Sequence, residues 1–417
     1  MNRDGAPPGA HADAALDERR RERRILIWMC VLIGVNQLGF GAVIPVLPLY
    51  AESFGVSQSE IGATVAVYGL GRFLIAMPTG RLADWLGRRP ALALGGAVSA
   101  LGNLGCALAG SYGELVAARL LAGVGAGLVL TAGAVVLADI STPARRGRTM
   151  ALYQGSFLFA VGIGPLPGGL LAEHMGLAAP FAAYAVASLG VGLLAWFAVE
   201  ETRDSRGATG EAGAVARPRF GVQLRTLLAL TGFRLVSAIA LMNAIARTGA
   251  LFSIVPLLAF QRLDLGASRI GFGLALGSIA GILLTYPAGM LADRFGRKSV
   301  IVPATVGAGL SMALFGIAPS YAWFLFACVV WGSAINIGGA APAAYAADSA
   351  PPGMNATAMS TYRMLGDFGY VVGPVALGLL ADTQGAETAL WVAAAGLIAS
   401  GVAFARYAPE TWRRGGA

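Results

Sequence analysis

This chain is poor in lysine, histidine and cysteine, and poor in charge of either sign. Lys298 is its single lysine, His11 and His174 are its only histidines, and Cys30, Cys106 and Cys328 each lie inside an apolar run. Two distant histidines argue against a His-rich metal centre, and three scattered cysteines exclude a disulfide scaffold. Charged residues make up 12% of the 417 positions, against roughly 25% in ordinary soluble domains. No Walker loop, nucleophile–base constellation or metal-ligand set is present, so no enzyme activity, cofactor or metal is expected. Apolar residues, in contrast, make up 56% of the chain, 59 glycines are spread through it, and mean hydropathy is +0.68. That richness excludes a disordered chain. What remains is a polytopic membrane protein.

A bilayer core is crossed by about 20 apolar residues in a helix. Twelve such stretches are expected, near 25–50, 59–80, 91–110, 114–139, 149–172 and 178–199, then 232–258, 269–291, 299–318, 321–347, 358–381 and 387–407. The layout is a polar tail over 1–24, a six-helix bundle over 25–199, a polar linker over 200–231, a second bundle over 232–407 and a tail over 408–417. The linker carries Arg203, Asp204, Arg206, Glu211, Arg217 and Arg219. The first apolar run is too long for a signal-peptide core and reads as a retained span. With both termini in the cytosol, 23 of the 30 basic residues fall on the cytosolic side. That asymmetry follows the positive-inside rule. The net charge of +8 is then topological, and no nucleic-acid partner is needed to explain it.

Gly80-Arg81-Leu82-Ala83-Asp84-Trp85-Leu86-Gly87-Arg88-Arg89 recurs 209 residues later as Gly289-Met290-Leu291-Ala292-Asp293-Arg294-Phe295-Gly296-Arg297-Lys298. The same offset carries Asp139 to Asp348, Pro143 to Pro352, Met150 to Met359, Tyr153 to Tyr362, Gly164 to Gly373 and Pro165 to Pro374. One offset over such a length means two related halves in the same orientation, with a site between them near the bilayer midplane.

These residues resemble the major facilitator superfamily over essentially the whole chain, and most of all its twelve-helix drug:proton antiporter branch. The two glycine-flanked loops match that superfamily's signature connections between spans 2 and 3 and between spans 8 and 9. Gly164-Pro165-Leu166-Pro167-Gly168-Gly169 matches the antiporter segment of span 5. Arg119 with Gly123, Gly125 and Gly127 matches the branch's pattern in span 4, and Gly39-Phe40-Gly41 with Pro45-Val46-Leu47-Pro48 is typical of its span 1. Ala160 stands where the antiporter pattern usually has glycine.

The resemblance implies an all-α membrane fold of two pseudosymmetric six-helix bundles that bind a small molecule in turn from each side. It implies that Asp84 sits near the N-terminus of span 11, where a carboxylate favours the positive end of the helix dipole. It also implies that Arg88 pairs with Asp139, with Asp293, Arg297 and Asp348 as the related cluster. These groups would latch the outward-facing state; the plainer alternative is a set of solvated loop charges. The span 5 segment would pack helices closely and seal the halves, its glycines admitting neighbours and its proline bending the helix.

Ionisable groups within spans cost roughly 3 kcal/mol each unless paired or wet. Arg72, Arg119, Arg247, Arg363 and Asp367 qualify, and Asp367 is the only acid well inside a span. It is the candidate proton carrier, with Arg363 one turn before it and Arg72 at a similar depth. An Arg72–Asp367 pair that opens on protonation is one reading, a static salt bridge the other. The family's cavity, lined by spans 1, 4, 7 and 10, would place Asn36, Gln37, Phe40, Arg119, Asn243, Arg247 and Asn336 around the substrate. Tyr68, Phe157, Tyr362 and Tyr370 could add an apolar wall.

Two functions fit. One is proton-coupled efflux of amphipathic organic compounds by alternating access. The other is a facilitator or proton symporter of a small organic anion, suggested by the excess of intramembrane arginine over acid. A monomer in the cell membrane, with lipid, protons and a small molecule as partners, is expected in either case.

Overall fold

A computed structural model describes residues 8–141, 146–202, 220–351 and 354–410. Within these the chain is helical, with no strand among the described residues. The linker charges at 203–219, Pro143, Pro352 and the residues from 411 onward lie outside the described residues.

Eleven continuous helices are long and apolar enough to span a bilayer, and one bent helix brings the number among the described residues to twelve. They are α1 (Arg19–Val43), α2 (Gln58–Leu86), α3 (Arg88–Ala107), α4 (Tyr112–Asp139), α5 (Arg148–Met175) and α6 (Ala179–Ala198), followed by α7 (Thr231–Leu263), α8 (Ala267–Ala292), α9 (Lys298–Ile317), α10 (Tyr321–Asp348), α11 (Thr357–Gln384) and α12 (Ala386–Tyr407). The bend in α2 is 54° and falls beside Pro78, which leaves one backbone carbonyl without its helical donor. In α7 the ladder slips into a π-helical stretch over Ala246–Ile254, a rare form found mostly as single-turn bulges, frequently at functional sites.

The start of α1 and the end of α12 share one end of the bundle, the near end. The two ends differ in how the halves meet. At the far end a single apolar core draws on both halves: Phe40, Tyr50, Tyr68 and Phe181 share it with Ala250, Ile254, Phe324 and Leu377. At the near end there are two cores. One holds Ile25, Met29, Val136 and Val191 from the first half, the other Phe233, Val300, Tyr345 and Phe404 from the second. Gly80, Gly155, Gly289 and Gly366 have no foreign atom near the position of a Cβ, and Trp85 and Phe295 are largely exposed. The halves are joined at the far end and parted at the near end.

Glycine makes the far-end contact possible. The carbonyl of Pro374 lies so close to Gly62 that a Cβ there would approach it to 2.2 Å, and Pro165 stands in the same relation to Gly271 at 2.1 Å. These contacts obey the 209-residue repeat, so the sequence symmetry is also a symmetry of packing.

Within the first half, Gly168 of α5 lies against α1, where a Cβ would fall 1.9 Å from the Ala42 carbonyl oxygen. Backbone cannot move aside as a flexible side chain can. Gly168→Ala is therefore expected to destabilise the protein by about 1–3 kcal/mol in thermal unfolding in detergent. Gly34→Ala, at a site with nothing within 4 Å, should be close to neutral.

Candidate functional site

The parted halves enclose a cavity of about 230 Å³ at mid-depth. Its wall comes from α1 (Gln37, Phe40, Ile44), α2 (Arg72), α5 (Phe157, Val161, Gly162), α7 (Arg247, Phe252), α8 (Leu274, Ser278), α10 (Trp331, Asn336) and α11 (Asp367, Tyr370). Towards the near end it continues into a vestibule of about 300 Å³, to which Asn243, Arg247, Tyr362, Arg363, Asp367 and Tyr370 contribute. Arg247, Asp367 and Tyr370 thus belong to both spaces. Apolar and aromatic groups dominate the wall, with few polar groups facing inward, the usual make-up of a small-molecule site.

Among the described residues, Asp367 is the single carboxylate on this surface. Arg72 shares with it the main cavity and also a side pocket of about 120 Å³ beside Gly69 and Thr131. Arg72 does not close onto Asp367: its guanidinium lies 5.7 Å from the centre of the Tyr370 ring, and no ion pair within 4 Å joins the two. The expected Arg72–Asp367 salt bridge is therefore corrected to a looser arrangement. Asp367 stands on the same walls as Arg72, Arg247 and Arg363.

Two other residues expected in the cavity lie behind its wall. Arg119 of α4 is 2% exposed. Its guanidinium sits 4.4 Å from the centre of the Tyr68 ring, and its Nε donates to the Thr64 carbonyl at 3.4 Å. The cause is packing. Gly123 and Gly127 allow α2 to press onto α4, with Tyr68 backbone against the first and Arg72 backbone against the second. This inserts α2 between α4 and the cavity, so α2 and α5 supply the wall that α4 was expected to supply. Asn36 is also fully buried. It donates to Gln37 Oε1 at 3.1 Å and accepts from the Tyr184 hydroxyl at 3.5 Å, while Gln37 itself reaches the cavity. Tyr68 stacks on Phe40 at 5.3 Å, so Arg119 supports the aromatic wall from behind. Asn243 belongs to the vestibule and donates to the Ile239 carbonyl at 3.0 Å.

The repeated loops lie at the near end. Gly87 and Gly296 adopt φ of 100° and 93°, a region that only glycine enters without strain. Arg88 begins α3 with its guanidinium buried. Its Nε donates to Asp139 Oδ2 at 2.8 Å, and its Nη1 reaches Asp84 Oδ1 at 3.0 Å and the Ala83 carbonyl at 3.2 Å. Asp84 is largely exposed and pairs here within its own half. In the second half Arg297 Nε lies 3.5 Å from Asp348 Oδ2, a looser pair; the Asp293 side chain lies outside the described residues. Glu201 caps α3, accepting from the backbone N–H groups of Arg88 and Arg89 at 2.9 and 3.2 Å. Glu410 does the same at Arg297 and Lys298, both at 3.3 Å. Arg21 and Arg24 grip Glu200 nearby, and the hydrogen bond from Arg21 is the main cause holding its carboxyl below the ordinary value.

The span 5 segment runs along the seam: Gly164 packs on α1 near Gly41, while Pro165 and Gly169 face α8. Pro165 also reaches the cavity wall.

A multi-pass membrane protein with a mid-membrane cavity between two related bundles, closed at one end and reached from the other, is a secondary transporter. The family profile described as Major Facilitator Superfamily matches residues 29–267 and 236–416, and the chain belongs to that superfamily. An uncharacterized MFS-type transporter of Methanocaldococcus jannaschii is 22% identical over 369 residues, 86% of this chain and 91% of that protein. The quinolone resistance protein NorA of Staphylococcus aureus is 30% identical over 136 residues, covering 33% of this chain and 35% of NorA. Among solved structures, the nucleoside transporter NupG superposes with a TM-score of 0.75 at 14% identity, over 91% of this chain and 98% of that one. The human organic anion transporter MFSD10 does so with a TM-score of 0.63 at 20% identity, over 92% and 99%.

Proposed function

We propose that this chain exports amphipathic organic compounds from the cytosol in exchange for protons, with Asp367 as the proton carrier. The bundles 25–199 and 232–407 are the units that rock, joined by the linker 200–231. The near end, with both terminal tails, faces the cytosol of a cell whose outer boundary is this membrane. The charge asymmetry supports that orientation, and the structure is then the inward-facing state. One observation carries the reading: among the described residues a single carboxylate, Asp367, lies on the wall of a largely apolar and aromatic cavity that is reached from the near end, with Arg72 and Arg247 beside it. The partial likeness to NorA supports efflux.

A second reading, transport of an organic anion, is favoured by Arg72 and Arg247 standing against that single carboxylate. The two readings differ in the sign of coupling. A cation competes with the proton for Asp367, whereas a proton on Asp367 makes the site more positive and draws an anion in. Efflux by exchange thus requires binding that weakens as pH falls, and the anion reading requires the opposite.

Proteoliposomes with an imposed pH gradient and a panel of cationic, neutral and anionic amphiphiles test this. Cationic or neutral compounds should move against the inward proton gradient. Downhill movement of anions alone, with affinity rising at low pH, would replace the first reading by the second. Arg247→Gln is expected to tighten cation binding and weaken anion binding by about tenfold each, the effect of removing one charge from a partly wet site a few ångströms from the ligand. Equilibrium binding of a matched cationic and anionic fluorophore checks it.

A further inference from the structure

Among the described residues three carboxylates bridge the halves at the far-end seam, none of them used in transport: Glu52, which accepts from Gln261 Nε2 at 2.6 Å, and two that meet helix starts. Asp382, near the C-terminus of α11, reaches across to the other half and accepts from the first backbone N–H groups of α2: Gln58 N at 2.7 Å and Ser59 N at 3.0 Å. Glu173, near the C-terminus of α5, crosses the opposite way and accepts from Ser268 N at the start of α8, at 3.3 Å. Glu173 and Asp382 are 209 residues apart, as are Ser59 and Ser268. The two contacts are the same contact, made once in each direction.

The helices they hold are the two whose other ends lead to the repeated loop acids, Asp84 in the last turn of α2 and Asp293 directly after α8. Glycine lets the caps close. A Cβ on Gly378 would lie 2.6 Å from the Gln58 carbonyl oxygen, and one on Gly169 would lie 2.3 Å from that of Ala267. Gly169 of the span 5 segment thereby brings α5 close enough for Glu173 to cap α8.

We propose that Asp382 and Glu173 are a pair of reciprocal helix caps that latch the far end shut, holding α2 and α8 in the state in which the cavity opens at the near end. The first N–H groups of a helix have no partner of their own, and a carboxylate there satisfies them and meets the positive end of the helix dipole. When the halves rock the other way the caps must break, and α2 and α8 give up their far-end partners as their near ends come together. The two caps differ in strength. Asp382 holds two N–H groups and Glu173 one, so Asp382 contributes the larger share. The latch rests on the alternating-access reading, but not on which compound is carried.

The test is a distance measurement on the resting full-length protein in nanodiscs, without substrate. Spin labels at Gly110→Cys and Pro319→Cys, exposed positions of the two halves at the far end, report its opening. Asp382→Asn and Glu173→Gln each remove the charge and keep the shape. Asp382→Asn should raise the ratio of open to closed far end by about threefold, the effect of removing a negative charge from the positive end of a helix dipole. Glu173→Gln should raise it less, and the double variant more than either. Glu60→Gln, which removes a carboxylate that caps α2 within its own half, should leave the ratio unchanged. A distance distribution that stays the same in the double variant overturns the latch, and so does an equal response to Glu60→Gln. Failure of every candidate compound to be transported, with the distances moving as expected, would count against the transport reading alone. Monodisperse elution and unchanged helical circular dichroism verify that the variants are folded.

Discussion

Asp367→Asn is expected to abolish uphill transport while leaving a folded protein that still binds its substrate. Asparagine keeps the size and the hydrogen-bonding capacity of the side chain but cannot exchange a proton. In proteoliposomes under a gradient of one pH unit, one-for-one exchange sustains about a tenfold concentration ratio, or 1.4 kcal/mol. The variant should fall to a ratio of unity and retain only downhill exchange. The electrostatics are consistent with a titrating group. Asp367 shares its surroundings with Arg72, Arg247 and Arg363 yet is locked to none of them, so its charge responds to the ligand instead of being fixed by one partner. Arg72→Gln should give a milder phenotype, with coupling retained and its pH dependence displaced.

Arg88→Ala is expected to be the most destabilising single change away from the cavity. The Arg88 and Asp139 side chains are 2% and 1% exposed and 2.8 Å apart, and Asp139 also accepts from the Thr202 hydroxyl at 3.2 Å. Removing the arginine takes from the buried Asp139 carboxylate the counter-charge at 2.8 Å, a loss of about 3–5 kcal/mol for a buried pair. Thermal unfolding in detergent should show a loss of that order. Replacing Arg88 and Asp139 together by leucine and valine should cost much less, since neither buried charge then remains. The equivalent Arg297→Ala should cost less than Arg88→Ala, because Arg297 and Asp348 are 26% and 43% exposed and lie 3.5 Å apart, and a wet pair contributes little.

Much of this molecule is legible before folding is considered. Apolar run length alone locates the spans to within a few residues of α3, α6, α9 and α12, because a bilayer leaves a helix few alternatives. The repeated loops show where tight turns fall, and both turn glycines take positive φ. The cavity is harder to read. Asn36 and Arg119 look, by residue type and depth, like groups that face a wet cleft, but the facing of a helix depends on what its glycines pack against. Gly123 and Gly127 bring α2 onto α4 and put Arg119 behind Tyr68, a consequence visible only once both helices are placed. The π-helical stretch that contains Arg247 carries no sequence mark that separates it from an ordinary helix. The paired caps are an intermediate case. Glu173 with Asp382, and Glu201 with Glu410, obey the 209-residue offset already in the sequence. Isolated acids at span ends, however, resemble solvated charges until the N–H groups they accept from are known.

The central claim is that substrate and proton meet at Asp367, and proton counting tests it most directly. Substrate is added to weakly buffered, detergent-solubilised protein while pH is followed with an indicator dye. The account predicts release of close to one proton for each molecule bound by the unaltered protein, and none by Asp367→Asn. Binding without any proton exchange, or the same release from Asp367→Asn, would contradict it.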